Sequence, residues 1–304
     1  MAARAPAPHT GAVVFPSRWL LWSLAASLAA QPARMHVDSD LVLVPTIVTD
    51  HDYKPVFNLT ERQFQLRVDR TPTPLAGFWK DTGPVSLVIV LDASGSMQNV
   101  LGRSQEALRG FLALAHPEDE YALVLCRDHG RVELPFTQDQ RALSAAILAA
   151  GAHGSTPLLD SLSLALDLVK RGRHERKAIL LISDGEDTSS RLDYVTLRRR
   201  VLESTAWLYV LQFFTGRPLD EFEFRDLRAL AELTGGIFFD DVSPKRFAEY
   251  FAELDVHQRY VLAFRPGPSA GGQRQHRLEV RLKDVRLEKP RLFWRRSFQD
   301  GLPH

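Results

Sequence analysis

Between residues 84 and 254 the sequence alternates short apolar segments with amphipathic ones, and this alternation restricts the fold more than any other feature. The apolar segments are 85–91, 121–125, 178–182 and 207–213. Strands that are apolar along their whole length are expected in a parallel sheet with both faces covered. Helical periodicity occupies the intervening segments 104–115, 157–170 and 192–203. The pattern predicts an α/β fold built on a doubly wound, mostly parallel sheet.

Two further patterns complete this sheet. Residues 131–134 follow the second apolar segment directly after His129 and Gly130, which predicts an antiparallel hairpin partner at the sheet edge. Segments 224–233, 236–239 and 244–254 are consistent with a last strand and its two flanking helices.

The segments on either side of this region have strand composition. They are 41–49 and 64–68 before it, and 260–264, 278–282 and 291–294 after it. Neither group has enough strands to be stable alone, so we expect them to pair into one small discontinuous β domain. The predicted organisation is an N-terminal β segment at 38–80, an α/β domain at 84–254, and a C-terminal β segment at 256–299 that pairs with the first.

The N-terminus has the features of a targeting signal. Arg18 precedes the apolar run 19–28, and Ser27 and Ala29 supply small residues for cleavage, so residues 1–30 are predicted to be a signal peptide. The run is too short to span a bilayer comfortably, which needs about 20 apolar residues. The mature protein is therefore expected to be exported, to the periplasm, the cell envelope or the medium. A start at Met35 would instead leave it in the cytoplasm.

The net charge limits the partners that the chain can attract, and the cysteine content limits its disulfide bonding. The formal net charge is +1, so no overall field attracts the chain to nucleic acid or to an anionic membrane. Cys126, the single cysteine, ends an apolar run and is predicted to be a buried core residue, so no internal disulfide forms. The composition does not specify an oligomeric state.

Oxygen-bearing side chains follow the first and fourth strands of the predicted α/β region. Asp92, Ser94 and Ser96 come directly after segment 85–91, and Asp184 follows segment 178–182. Right-handed crossovers place these two strands side by side, with their carboxyl ends at one crevice. Thr156 heads the helix before the fourth strand and can reach the same crevice. Two carboxylates and three hydroxyls suit a hard cation, Mg²⁺ first, with Mn²⁺ or Ca²⁺ as alternatives.

Asp92, Ser94, Ser96, Thr156 and Asp184 match in order the metal-ion-dependent adhesion site of von Willebrand factor type A domains, and the region 84–254 resembles such a domain. The flanking segments resemble a more specific group, the exported A-domain-related proteins of acidobacteria and similar soil bacteria. That group tends to have an acidic residue followed by glycine where this chain has Asp69 and Arg70, so the turn there is expected to differ.

The resemblance implies a function and leaves two alternatives open. It implies that the three hydroxyls ligate the metal directly, that one or both aspartates act largely through water, and that the open position attracts a carboxylate from a protein partner. The chain is therefore expected to be a binding module without enzymatic activity. One alternative is a periplasmic assembly or regulatory subunit. The other is a metal-assisted hydrolase with Asp92 as nucleophile, although Ser94 stands where a second acidic residue would be needed.

Three aromatic residues, Trp207, Phe213 and Phe214, are predicted to pack in the core.

Overall fold

The structure is a computed structural model that describes residues 41–215, 221–253, 258–267 and 275–299, of which 221–225 and 253 are described by their backbone alone. Four short strands lead the described chain. They are β1 (Val42–Thr49), β2 (Phe64–Val68), β3 (Thr71–Thr73) and β4 (Gly77–Asp81).

A six-stranded sheet follows. Its strands are β5 (Val85–Asp92), β6 (Glu120–Cys126), β7 (Arg131–Thr137), β8 (Arg176–Ser183), β9 (Trp207–Gln212) and β10 (Phe238–Asp240). Their order across the sheet is β10-β9-β8-β5-β6-β7. Neighbouring strands are parallel except β7, which is antiparallel to β6 at the edge. The predicted doubly wound sheet with an edge hairpin is confirmed.

Helices cover both faces of this sheet. They are α1 (Leu101–Leu112), α2 (Gln140–Ala149), α3 (Leu158–Val169), α4 (Tyr194–Glu203), α5 (Glu221–Thr234) and α6 (Pro244–Glu253). Leu87 and Ile89 of β5 pack with α1, α2 and α6, whereas Val88 and Val90 pack with α3, α4 and α5. Because successive strand residues point to opposite faces, a strand covered on both sides must be apolar throughout.

The flanking segments form two four-stranded sheets. Their C-terminal strands are β11 (Arg259–Phe264), β12 (Gln275–Leu282), β13 (Arg291–Trp294) and β14 (Ser297–Gln299). The sheet orders are β13-β1-β11-β4 and β14-β12-β2-β3. In both sheets, strands from the two ends of the chain are neighbours, with pairs such as Val44 with Leu262 and Leu66 with Val280. The predicted pairing of the flanking segments is therefore present, whereas the domain boundaries assigned from sequence stay predictions.

Some elements differ from the sequence-based expectation. Helix α2 was not predicted, because it buries only Leu143 and Ile147 and its short alanine-rich segment has little periodicity. The sequence pattern predicts no strand between residues 69 and 84, but the structure has two edge strands there, β3 and β4. Their residues are exposed or half-buried, so they lack an apolar pattern. Helix α1 begins three residues earlier than the predicted start at 104.

No helix in the described part of the chain is long and apolar enough to cross a membrane. The predicted signal peptide at 1–30 lies outside the described residues.

Candidate metal-binding site

The candidate site lies at the edge of the central sheet where β5 and β8 end. These strands are parallel neighbours, with Leu91 paired to Ile182, so the residues that follow each strand emerge side by side. Asp92 is the last residue of β5, and Asp184 comes directly after β8. This is the switch point at which ligands bind in open α/β sheets.

Asp92 is held rigidly in a buried position. Its side chain is fully buried, one carboxylate oxygen accepts a hydrogen bond from the backbone N–H of Ser94 at 3.0 Å, and the other accepts one from the Ser183 hydroxyl at 2.7 Å. Burial raises the pKa of Asp92 to about 6; the hydrogen bonds from Ser94 and Ser183 oppose this rise, and the negative charge of Asp184 adds to it. A cation bound between the two carboxylates would offset both unfavourable effects.

Ser94 and Ser96 place two hydroxyl groups next to Asp92. Their Oγ atoms lie 3.1 Å apart, and Ser94 is fully buried. A short 3₁₀-helix, Gly95–Asn99, follows directly and holds the turn, with the Met97 side chain buried. The two serines are therefore fixed by the backbone that leaves β5.

Thr156 belongs to the loop before α3, which is tied to both other loops. The backbone N–H of Gly95 donates to the carbonyl of Gly154 at 3.0 Å, which joins this loop to the serine loop. On the other side, the Thr156 N–H donates to the Thr188 hydroxyl at 2.8 Å, and the Thr188 N–H donates to the Thr156 carbonyl at 2.9 Å. Thr156 is thus held between the loops that follow β5 and β8.

Asp184 is positioned by the neighbouring strand β9. The side chain of Gln212, the last residue of β9, donates to the Asp184 carbonyl at 2.8 Å, and one Asp184 carboxylate oxygen accepts from the Glu186 N–H at 3.2 Å. Gly185 has a φ of +93°, and a Cβ atom there would lie 2.9 Å from the Gln212 amide nitrogen. Glycine is therefore needed at this turn.

Sequence reasoning assigned no role to Ser183, Thr188 or Gln212, which hold the predicted ligands in place. For Ser183 and Gln212 the available signal is a polar residue at the end of an otherwise apolar strand. Nothing local distinguishes Thr188 from other loop residues, because its role depends on a contact 32 residues away.

The donor set fits a hard divalent cation. It consists of two carboxylates and three hydroxyls, the oxygen ligands that Mg²⁺ and Ca²⁺ prefer. In the described part of the chain, no group of three or more His, Cys, Asp or Glu side chains is arranged to hold a metal. A cation here would therefore depend on the serine and threonine oxygens as well as on Asp92 and Asp184.

The aromatic residues at the start of β9 and directly after it divide into two groups. Trp207 and Phe213 are buried, as predicted, but Phe214 is 55% exposed, so the prediction that it packs in the core is wrong. Phe213 extends the pairing with β8 by donating its N–H to the Ser183 carbonyl at 3.1 Å, and β9 has ended before Phe214.

Comparison of sequences identifies the class of domain to which this doubly wound α/β region corresponds. Residues 87–186 match the family model of the von Willebrand factor type A domain, and the matched range contains all five candidate ligands. The chain therefore carries a von Willebrand factor type A domain, referred to below as the A domain. No protein with curated annotation matches the chain by sequence.

Solved structures are similar in fold at low sequence identity. A von Willebrand factor type A protein from Catenulispora acidiphila is 15% identical, with 86% of this chain and 72% of that chain covered and a TM-score of 0.48. BatB from Bacteroides thetaiotaomicron is 16% identical, with 56% and 98% covered and a TM-score of 0.46. The von Willebrand factor type A domain of SpRpn10 is 14% identical, with 55% and 94% covered and a TM-score of 0.45.

Proposed function

We propose that the protein is a metal-dependent protein-binding module, in which the A domain uses one divalent cation to recruit a carboxylate of a partner. The observation that carries the proposal is the convergence of Asp92, the two serines, Thr156 and Asp184 through hydrogen bonds among three separate loops. The fold of the domain does not by itself require such a set of oxygen atoms at the edge of the central sheet.

Each residue has a distinct part in the proposed site. The hydroxyls of Ser94, Ser96 and Thr156 are the direct ligands, and Asp92 and Asp184 hold the cation largely through water. Both oxygens of Asp92 already accept hydrogen bonds from Ser94 and Ser183, which suits an outer role. Mg²⁺ is the cation we expect first, with Mn²⁺ or Ca²⁺ as alternatives. When bound, the cation supplies an electrophilic position for an acidic side chain of the partner.

The same contacts argue against the hydrolase alternative. A nucleophilic carboxylate must reach the substrate, but Asp92 is fully buried and both of its oxygens accept hydrogen bonds. Ser94, two residues on, offers a neutral hydroxyl in place of a second acid or base. We therefore propose binding without catalysis, in an exported protein, with an assembly or regulatory subunit as the alternative that uses the same contacts.

Calorimetric titration of the full chain with MgCl₂ tests the metal site. We expect one ion to bind the wild type, and Asp184→Ala to abolish binding while circular dichroism stays unchanged, because Asp184 lies beyond the end of β8. Glu106→Ala is the matched control, since Glu106 is an exposed carboxylate on α1. Full-strength Mg²⁺ binding by Asp184→Ala would overturn the assignment.

A partner captured from the native envelope tests the second half of the proposal. We expect chelation to release it, and one Asp→Asn or Glu→Gln change on the partner to reproduce that loss and to have no further effect once metal is removed. Binding that persists in chelator would leave the metal a structural role and move recognition elsewhere on the molecule. The two tests are independent, so failure of one identifies which half of the proposal is wrong.

A further inference from the structure

A second site lies at the opposite end of the central strands, where β8 and β9 begin. There the A domain meets the flanking strands around a cavity of about 400 Å³. Volumes of about 300–1,000 Å³ are typical of small-molecule sites. The cavity is lined by residues from both ends of the chain, from β1 near the N-terminus to β14 near the C-terminus.

Its lining combines an apolar wall with an excess of positive charge. Leu43, Pro45, Trp207 and Phe298 form the apolar part, and Trp207 and Phe298 are each 3% exposed. Among the described lining residues, the basic side chains are Lys177, Arg259 and Arg295, and the acidic one is Glu175. Basic groups beside an apolar wall favour a ligand that is anionic at one end and apolar at the other.

Arg259 and Lys177 each have a structural contact as well. Arg259 donates to Asp81 at 2.8 Å, but Asp81 is shared with Arg176 at 3.6 Å, so one carboxylate serves two guanidinium groups. Lys177 donates to the backbone carbonyl of Gly172, a neutral partner. Burial lowers the pKa of Lys177, an effect that Glu120 and Glu175 oppose. An excess of positive charge therefore remains at this end of the sheet.

Arg295 adds a third cation, and its hydrogen-bond partners among the described residues are backbone carbonyls. Its guanidinium donates to the carbonyls of Leu202, at 3.2 Å, and Ser204, at the C-terminal end of α4. Burial lowers the pKa of Arg295 to about 10, and no charge among the described residues counters this effect. A guanidinium has five N–H donors, and capping the helix uses only part of them. An anion in the cavity would compensate the remaining positive charge.

We propose that this cavity binds a small organic anion, a carboxylate that carries an apolar group, with the basic side chains of Lys177, Arg259 and Arg295 facing its charge and Trp207 packing against its apolar part. The mouth of the cavity carries exposed residues, Glu175 among them. Glu175 and Lys177 lie two residues apart at the start of β8. The Glu175 carboxylate repels an anion, and the Lys177 ammonium group attracts one. This pair allows a test with opposite expected signs.

Titration of the full chain with benzoate, benzamide and inorganic phosphate tests the proposal, with tryptophan emission as the readout. We expect benzoate to bind with a Kd of about 1 mM, a value typical of so small a ligand. Benzamide, which lacks the charge, and phosphate, which lacks the ring, should each bind at least about fivefold more weakly. Trp207→Phe should remove most of the emission change. Equal binding of benzamide and benzoate, or no binding of benzoate, overturns the proposal.

Substitutions that change the charge of the cavity lining test where the ligand binds. Lys177→Gln should weaken benzoate binding about fivefold, and Glu175→Gln should tighten it about twofold, because the two side chains act on the anion with opposite signs. Arg199→Gln is the control, since Arg199 is an exposed arginine on α4 away from the cavity lining. Unchanged affinity in both the Lys177 and Glu175 variants would contradict the assigned position. Chelator and Asp184→Ala should leave benzoate binding intact, which separates this site from the proposed metal site.

Discussion

Asp92 occupies a place where the fold alone would favour a neutral residue. It is fully buried, and its pKa is raised to about 6, chiefly by burial and in smaller part by the charge of Asp184. The hydrogen bonds from Ser94 and Ser183 recover only part of the cost of burying this charge. A perturbed carboxylate in a cleft is typical of a functional site, which is why we give Asp92 a role in cation binding.

Gly185 sets the direction in which the chain leaves Asp184, and this gives a prediction for one residue. We expect Gly185→Ala to destabilise the protein by roughly 1–3 kcal/mol, because the positive φ is unfavourable for alanine and the new Cβ meets the Gln212 amide at 2.9 Å. Mg²⁺ affinity should fall as well, since Gln212 holds the Asp184 backbone. Urea denaturation and calorimetry measure the two effects.

Gly102→Ala is the matched control for that change. Gly102 lies in α1, its φ is not positive, and a Cβ atom there would have nothing within 4 Å. Alanine favours a helix more than glycine does, so the control should gain roughly 0.5 kcal/mol and keep its Mg²⁺ affinity. Equal stability of the Gly185→Ala variant and the wild type would mean that the turn relaxes without cost.

The turn at Asp69 and Arg70 joins β2 to β3 and requires positive φ angles. Both residues have positive φ values, 48° and 68°, as expected for a two-residue hairpin turn that matches the twist of its strands. Asp69 is fixed further by hydrogen bonds with His276 at 2.7 Å and with the N–H of Arg277 at 2.9 Å. Arg70 therefore adopts a left-handed backbone conformation that glycine adopts more readily than arginine.

We expect Arg70→Gly to raise the free energy of unfolding by about 1 kcal/mol, because glycine adopts a positive φ without steric cost. The Arg70 carbonyl, which accepts hydrogen bonds from Arg67, is kept in the variant. Thermal and urea denaturation measure the gain. Arg62→Gly, in the 3₁₀-helix before β2, is the control and should lower stability, since Arg62 has no positive φ. A loss of stability in Arg70→Gly would show that the arginine side chain matters more than the backbone conformation.

Elements with a strong pattern could be predicted from the sequence, and elements that depend on distant contacts could not. Strand β5 is apolar at nearly every position because both of its faces are covered, so its place in the sheet was predictable. Helix α2 begins where Asp139 caps it by accepting from two backbone N–H groups, a weak signal beside so short an apolar stripe. Asp92, Ser94 and Ser96 are recognisable because their spacing is local, and Asp184 because it follows a predicted strand, whereas Gln212 acts through a contact 28 residues away.

At the scale of the whole molecule, Asp81 links one flanking sheet, β13-β1-β11-β4, to the A domain. It ends β4, and its carboxylate pairs with Arg259 of β11 at 2.8 Å and with Arg176 of β8 at 3.6 Å. Arg176 also donates to the Gly83 carbonyl at 2.7 Å and has only 4% of its side chain exposed. One carboxylate thus joins β4 and β11, two neighbouring strands of one flanking sheet, to β8 of the central sheet.

This network predicts an acid-sensitive contribution to stability. Burial alone would raise the pKa of Asp81, but Arg259 and Arg176 outweigh it, so the pKa lies below its ordinary value of 3.8. A lowered folded pKa means that the unfolded chain binds the proton first as pH falls. The contribution of Asp81 is therefore fully present well above pH 3.8 and is lost as the pH falls through the folded pKa.

We expect Asp81→Asn to lower the free energy of unfolding by roughly 1–3 kcal/mol at pH 7, because two largely buried guanidinium groups lose their shared carboxylate. The difference from the wild type should shrink as the pH falls below about 4, where the wild-type carboxylate is itself becoming protonated. Urea denaturation at a series of pH values measures both quantities. Asp52→Asn, at an exposed carboxylate, is the control and should change stability little at any pH. A deficit in Asp81→Asn that stays constant down to pH 3 would mean that the contact acts through shape and hydrogen bonding, and that the charge of Asp81 does not help to hold this flanking sheet to the A domain.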